Sequence, residues 1–330
     1  MQTIGFIGLG TMGSNMAARY LAAGYTVYGE DRNRAGARSL VEQGLHWVDS
    51  PREIAEVADI VMTSLPNDEI VDSVASGHDG ILAGLSQGKV WADLSTISPR
   101  ASRDLAKRVR EHGHGAQMLD TPVSGSVPQV NSGTLTIMVG GDADACERIE
   151  PVLRVLGTPV HVGKNGQGLV LKLAINISLA VQMLAFSEGL LLAERDGMDV
   201  RLAAKVMTDS AIGSPMLKAR VPLVLDRPDE TWFGIELMHK DIRLAREAAA
   251  ELDARLPSAA VADDILSEAS ARGYGHRDIA AIHELLERTG VFAFGFQFRL
   301  QLLHQILQTH NFDAEFADIP IGRNCRSHRC

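Results

Sequence analysis

The sequence of this 330-residue chain predicts an α/β fold: a doubly wound, mostly parallel sheet followed by an all-α domain with a long central helix. Three observations carry that expectation. A strand-like run at the start breaks into Gly-Leu-Gly-Thr-Met-Gly at residues 8–13 and passes straight into a helical pattern. Short apolar runs and helical periodicities then alternate up to residue 163, as βαβ units require. Beyond that point almost nothing looks like a strand before the last forty residues, and helical stretches follow one another.

Taken in order, residues 3–7 read as a buried strand and residues 14–22 as an amphipathic helix. Gly8, Gly10 and Gly13 stand at their junction. Three glycines there allow a tight turn, close approach of backbone to a pyrophosphate, and close helix–strand packing, the mark of a Rossmann-type dinucleotide site. The helix N-terminus adds free N–H groups and a positive dipole end. Thr11 and Met12 share the turn and are assigned to the cofactor with it. The second strand, 26–30, ends in Glu30-Asp31-Arg32. A carboxylate about 20 residues beyond the glycines commonly accepts hydrogen bonds from the adenosine ribose, which favours NAD. Asp31 is the candidate, with Glu30 in its place if the strand ends one residue earlier. Arg32 could hold a 2′-phosphate, so NADP stays possible. The bland alternative is that all three are a solvated turn.

Residues 60–64, 90–94, 117–120, 135–139 and 159–162 read as further strands, and 52–57, 70–75 and 100–112 as intervening helices. The helical half predicts stretches at 168–196, 199–209, 236–253, 257–272 and 277–288. The resulting domain map is a dinucleotide-binding domain over 1–163, an all-α substrate and dimerisation domain over 164–289, and a divergent tail over 290–330. In that tail, residues 291–298 alternate phenylalanine with small or polar residues at a strand-like period. Cys325, His328 and Cys330 there lack a fourth ligand at useful spacing, so no metal is expected.

Composition bounds the function. A hydrophobic fraction of 45% and a charged fraction of 22% are those of an ordinary soluble protein. A net charge of −9 with no Lys/Arg block argues against nucleic acid as a partner. The chain runs directly into a strand, so no signal peptide is expected, and three cysteines without a disulfide pattern point to the cytoplasm. Residues 168–193 are apolar enough to suggest a membrane span, but Lys172, Asn176, Gln182, Ser187 and Glu188 interrupt them. A helix buried between domains or subunits explains the pattern better, and it predicts a homodimer or homotetramer.

Several segments now form a set. Ser-Leu-Pro-Asn at 64–67, Asp-Leu-Ser-Thr at 93–96 and Asp-Thr-Pro-Val-Ser-Gly-Ser at 120–126 each follow a strand. Gly-Gln-Gly-x-x-x-Lys-x-x-x-Asn at 166–176 and His-Lys-Asp at 239–241 follow in the helical half. With Gly-Phe-Ile-Gly-Leu-Gly-Thr-Met-Gly at the start, they resemble the β-hydroxyacid dehydrogenase family, from residue 1 to about 288. That family includes 3-hydroxyisobutyrate dehydrogenase and tartronate semialdehyde reductase.

The resemblance implies an NAD(P)-dependent oxidoreductase of a small 3-hydroxy acid and its semialdehyde. Lys172 matches the family's acid/base, and a partly desolvated lysine has its pKa lowered toward neutrality, as proton exchange with a hydroxyl or carbonyl needs. Asn176, four residues on, shares its helix face and would orient that lysine or the substrate. Periodicity alone leaves open a lysine snorkelling to the surface. Ser124 and Gly125 are implied as the substrate-carboxylate cradle. Ser126 stands where relatives often carry glycine, which puts the fit of the substrate's far end in question. Thr96, Leu65, Pro66 and Lys240 are implied as cofactor contacts, while Asp241 is read as positioning its helix or pairing with a neighbour and His239 as structural. Ile212, Gly213 and Ser214 are expected to shape the pocket, and no metal is implied. Two other readings remain: a reductase of another carbonyl or imine on the same fold, or a dinucleotide-binding sensor without turnover. Imine-reducing relatives usually lack the lysine, so Lys172 argues against that variant.

Overall fold

The computed structural model describes residues 2–289. The expected tail over 290–330, with its phenylalanine alternation and its cysteines, lies outside the described residues. The first half builds one sheet from β1 (Ile4–Ile7), β2 (Val27–Glu30), β3 (His46–Trp47), β4 (Ile60–Thr63), β5 (Val90–Asp93), β6 (Gln117–Asp120), β7 (Val123–Ser124), β8 (Leu135–Gly140) and β9 (Gly157–Gly163). Between them run α1 (Thr11–Ala22), α2 (Arg38–Glu42), α3 (Pro51–Val57), α4 (Asp68–Ala75), α5 (Ile81–Gly84), α6 (Pro99–His112), α7 (Val127–Ser132) and α8 (Ala143–Leu156).

The strands lie in the order β3-β2-β1-β4-β5-β6-β8-β7, with β9 paired to β8. From β3 to β6 every pairing is parallel; β8 runs antiparallel to β6 and β7 and parallel to β9. The order reverses between β1 and β4, and such a switch point leaves a crevice at the carboxyl ends of the strands. Strand alternation divides the core into two layers. Phe6, Met62, Ala92 and Leu119 pack on one face with Met16 and Tyr20 of α1, while Ile7, Val61, Trp91 and Met118 pack on the other with Ile54 and Leu105. Helices begin where the sequence supplies caps. Ser50 and Ser98 each accept an N–H of the first turn and are followed by proline, and Asn67 and Asp142 cap α4 and α8.

The helical half comprises α9 (Gln167–Arg195), α10 (Val200–Asp209), α11 (Pro215–Asp226), α12 (Ile235–Glu251), α13 (Pro257–Ala271) and α14 (Ile282–Arg288), with a 3-10 turn at Ile279–Ala281. No strand follows β9 among the described residues, only an isolated bridge between Gly234 and Asp278. Of the five helices absent from the expectation, α2, α5, α7, α8 and α11, the last two carry an internal proline, Pro151 and Pro222. Proline breaks the pattern that periodicity relies on, yet packing keeps both helices whole. The stretch expected at 277–288 starts instead as the 3-10 turn, because the Asp278 carboxylate accepts the Ala280 N–H at 3.0 Å. The two-residue strands β3 and β7 are too short to show a period.

Among the described residues α9 is the one helix long and apolar enough to cross a membrane, with mean hydropathy 1.9. It is the core helix of its half, packed on α10, α12 and α13 and, at its start, on β8. Its polar residues Lys172, Asn176 and Ser187 are buried among those partners.

Candidate active site

The glycine turn lies between the carboxyl end of β1 and α1. Gly8 sits at φ +89°, and a Cβ there would be 2.4 Å from the Ser64 carbonyl oxygen. A Cβ on Gly13 would lie 1.9 Å from the Gly8 oxygen, so α1 can approach the turn only without a side chain. Gly10 differs: a Cβ there meets nothing within 4 Å, and the residue caps α1 without a side-chain acceptor. The first-turn N–H groups of a helix have no intrahelical partner, so the amides of Thr11, Met12 and Gly13 are left without one at this turn, beside the open space around Gly10. These residues fit a pyrophosphate.

Asp31 follows β2 directly. Its carboxylate accepts the Leu9 N–H at 2.7 Å and the Asn33 N–H at 2.7 Å, fastening the glycine turn to the strand end. Each oxygen keeps a second lone pair, enough for a ribose hydroxyl. Glu30 is half-buried, and burial, then the Asp31 charge, push its carboxyl up against the pull of Arg32. Arg32 is exposed.

The loops after β4 and β5 are tied together. The Trp91 indole donates to Thr63 Oγ1 at 2.9 Å, and that hydroxyl donates to Asp93 Oδ1 at 2.6 Å. The same oxygen accepts the Ser95 N–H at 3.1 Å, and Ser95 Oγ accepts the Leu65 N–H at 2.9 Å. Leu65 and Pro66 on one loop and Thr96 on the next are thereby held as a unit. Asp93 is fully buried and is pushed up to about 6 by loss of water.

From this unit a chain of polar contacts crosses to the helical half. Lys240 of α12 donates to the Thr96 carbonyl and pairs with Asp241 Oδ1 at 2.9 Å. Asp241 Oδ2 accepts from Asn176 Nδ2 at 2.6 Å, and Asn176 Oδ1 accepts from Lys172 Nζ at 3.1 Å. Lys172 is 9% exposed and Asp241 1%. Burial lowers the Lys172 pKa, Asp241 pulls it back up, and Lys240 lowers it again. The ring of Phe233 lies 5.9 Å from Lys172 Nζ.

Ser124 ends β7, opposite Thr136 of β8, and β7 packs on α9. Gly125 follows at φ +130°, a conformation only glycine adopts easily, and faces solvent. Ser126 is tied into its own turn: its N–H and Oγ both donate to Gln129 Oε1, at 2.9 and 3.1 Å. Asp120, at the end of β6, accepts the Gly166 N–H at 2.7 Å and the Leu169 N–H at 3.2 Å. It pins the first turn of α9 to the sheet, and burial pushes its carboxyl up to about 6.

The structure thus joins Lys172, Asn176, Lys240 and Thr96 in one bonded chain. The glycine turn, Asp31 and Leu65 gather at the strand ends, and Ser124 ends the strand beside α9, with Gly125 just after it. Ile212 is 56% exposed, and Ser214 Oγ donates to Gln182 Oε1 at 2.7 Å while capping α11. Sequence reasoning missed Phe233, which no motif marks, and gave Asp241 no part in the lysine's surroundings. Asp93 and Asp120 head motifs that were recognised, but were passed over. His239 pairs with Asp263 at 3.1 Å, joining α12 to α13. A cleft of about 840 Å³ near Arg103, Arg110, His161 and Lys164 lies elsewhere, and none of these site residues lines it.

Comparison with known proteins agrees with this architecture. Residues 3–164 match the NAD binding domain of 6-phosphogluconate dehydrogenase, and residues 166–286 match the NAD-binding family of NADP-dependent 3-hydroxyisobutyrate dehydrogenase. The chain is 36% identical to 2-(hydroxymethyl)glutarate dehydrogenase of Eubacterium barkeri, over 89% of this chain and 98% of that protein. It is 34% identical to the NAD-dependent L-serine dehydrogenase of Pseudomonas aeruginosa, over 88% and 99%. The solved structure of Mycobacterium tuberculosis 3-hydroxyisobutyrate dehydrogenase with L-serine superposes with a TM-score of 0.77 at 32% identity, covering 86% of this chain and 99% of that one. A Rossmann-type half bearing the glycine turn, a helical half bearing the buried lysine, and relatives matched over nearly their whole length lead to one conclusion: this chain belongs to the β-hydroxyacid dehydrogenase family and is an NAD(P)-dependent oxidoreductase.

Proposed function

We propose that the chain interconverts a small 3-hydroxy acid and its semialdehyde, with NAD as the preferred cofactor and Lys172 as the acid/base. The observation that carries this is Lys172 itself: a buried ammonium with a depressed pKa, hydrogen-bonded through Nζ to a single side chain, Asn176. Bound, the nicotinamide supplies the hydride acceptor for oxidation and the donor for reduction. In the oxidative direction Lys172 enters neutral and its Nζ takes the hydroxyl proton while the carbinol hydrogen departs as hydride. In reduction it returns that proton to the carbonyl oxygen. Asn176 orients Nζ, and Asp241 keeps the protonated form from becoming too unfavourable. Ser124 and the Gly125 backbone would hold the substrate carboxylate, and Thr96, Leu65, Pro66 and Lys240 would frame the nicotinamide end of the cofactor. Asp31, already set at the strand end, favours a free ribose diol over a 2′-phosphate.

The relatives support the substrate class. The substrates in their names share one unit, a hydroxyl on the carbon β to a carboxylate. The test is Lys172→Ala. Turnover should fall by about 10²–10⁴-fold, the usual contribution of a positioned proton-transfer group, with cofactor affinity little changed. Lys172→Arg should fail as well, since a guanidinium keeps its charge near neutral pH. A folded Lys172→Ala enzyme with normal kcat would sink the assignment.

The same reading includes a division at residues 163/164, with the second domain extending to 289, and an assembly of two or four copies. Exposed Leu192, Met198, Leu202 and Val206 support the assembly, since an apolar face of this kind is usually covered. Cytoplasmic residence is consistent with Cys146, a buried free thiol.

A further inference from the structure

We propose that Asp278 is a positioning residue for the reaction: it holds Phe233 over Lys172 and so keeps water from the lysine nitrogen. The inference rests on the reading of Lys172 as acid/base. Phe233 belongs to the irregular stretch between α11 and α12, where no helical ladder fixes the backbone. Its anchors come from one turn. Asp278 Oδ2 accepts the N–H groups of both Trp232 and Phe233, each at 2.9 Å. Asp278 Oδ1 accepts the Ala280 N–H at 3.0 Å, and the Phe233 carbonyl accepts the Ile279 N–H at 3.1 Å. One carboxylate therefore gathers three buried or half-buried amides and sets where the Phe233 ring stands.

Such a carboxylate, 5% exposed, needs a counter-charge. Arg220 of α11 supplies it, with Nε 3.5 Å from Oδ1 and the guanidinium carbon 5.8 Å from the centre of the Trp232 ring. The two aromatic neighbours thus divide their partners: Trp232 stacks on the arginine that balances Asp278, and Phe233 faces Lys172. The charged groups facing Lys172 are Asp241 and Lys240 of α12, with neutral Asn176 on its own helix. Phe233 contributes an apolar cover, and burial is the largest cause of the lysine's depressed pKa.

The direction of the effect separates positioning from simple charge. Loss of a distant negative charge would lower the Lys172 pKa further. Release of the Phe233 cover would admit water, favour the ammonium, and raise it. The test uses the full chain carrying [ε-13C]lysine, with the Lys172 resonance identified by Lys172→Arg. In Asp278→Ala the Lys172 titration should move upward by about one pH unit, a modest part of what full desolvation can do. The acidic limb of kcat for hydroxy-acid oxidation should move with it. Asp278→Asn, with one oxygen for three N–H donors, should show part of that shift. In a Phe233→Ala background the Asp278 substitutions should shift the titration no further, because the two act through one contact.

An unmoved or lowered Lys172 titration in the folded Asp278 variants would overturn the proposal. A shift of unchanged size in the Phe233→Ala background would do the same. If the alanine variant does not fold, the asparagine variant decides by the same comparison. The resonance reads Lys172 without turnover, so a failed acid/base assignment and a failed Asp278 proposal are told apart.

Discussion

Replacing Asp93 with asparagine should reverse the protein's relative stability between neutral and acid pH. Asp93 Oδ1 accepts from Thr63 and Ser95, but Oδ2 is buried with no hydrogen-bond partner, and the carboxyl is pushed up to about 6 from 3.8. The folded state therefore binds this proton more tightly than the unfolded chain does. By linkage, the ionised group detracts from stability at neutral pH, and stability is regained as pH falls from about 6 toward 4. A shift of about two units corresponds to roughly 3 kcal/mol over the whole window, of which roughly 2 kcal/mol is regained by pH 4.5. Asparagine keeps the acceptor for Thr63 and Ser95 and never titrates. Its new NH2 lacks an acceptor, a penalty of about 1–3 kcal/mol that does not change with pH. At pH 7.5 the variant should thus match or slightly exceed the wild type. Between pH 7.5 and 4.5 the difference should swing by about 2 kcal/mol toward the wild type. Urea denaturation of both proteins across that range reads it, and subtraction removes the titrations they share. A difference that stays flat with pH would refute the argument that Asp93 is ionised at neutral pH and strained by burial.

Three further outcomes are expected. Asp31→Ala should weaken NAD binding about tenfold or more, because it removes the proposed ribose acceptor together with the ties to Leu9 and Asn33, and relative use of NADP should improve; unchanged kinetics with both cofactors would contradict the assignment. Gly13→Ala places a methyl 1.9 Å from the Gly8 oxygen, so dinucleotide binding followed by fluorescence titration should be lost in a folded protein, and wild-type affinity would show that the turn is not the site. Sedimentation at micromolar concentration should give a dimer or tetramer, with a monomer counting against the covered apolar face.

Much of this was legible in the residues because short-range rules govern it. Strand alternation, glycines at a forced turn, and Ser-Pro or Asn caps act within a few positions, so β1, α1, α6 and the glycine turn could be read directly. Lys172 and Asn176 were legible for the same reason, being one helical turn apart. What escaped depends on distance in the chain. Phe233 meets Lys172 across 61 positions, and Asp120 caps a helix that starts 47 residues later, neither of which leaves a local period. Pro151 and Pro222 hid their helices because local propensity is against them and tertiary packing overrides it. The two carboxylates Asp93 and Asp120 stood in plain view within their motifs. Only their burial, which a sequence does not display, shows that they hold loops and helix ends in place.

The tie from Asp120 to the start of α9 bears on how relatives of this fold diversify. Lys172 lies within one turn of the Leu169 amide that Asp120 grips, so its place is referred to the sheet that carries the glycine turn. Sliding or tilting of the outer helices need not disturb it. Among the described residues, the segment joining α10 to α11, with Ile212 exposed and Gly213 wedged against Thr208, shows no side-chain hydrogen bond to a strand. On the reading proposed above for Lys172 and for this segment, drift there would reshape what is recognised without moving the proton-transfer group. On that reading a lineage would exchange one acid for another by editing a surface connection, while the anchor that sets Lys172 against the sheet is kept.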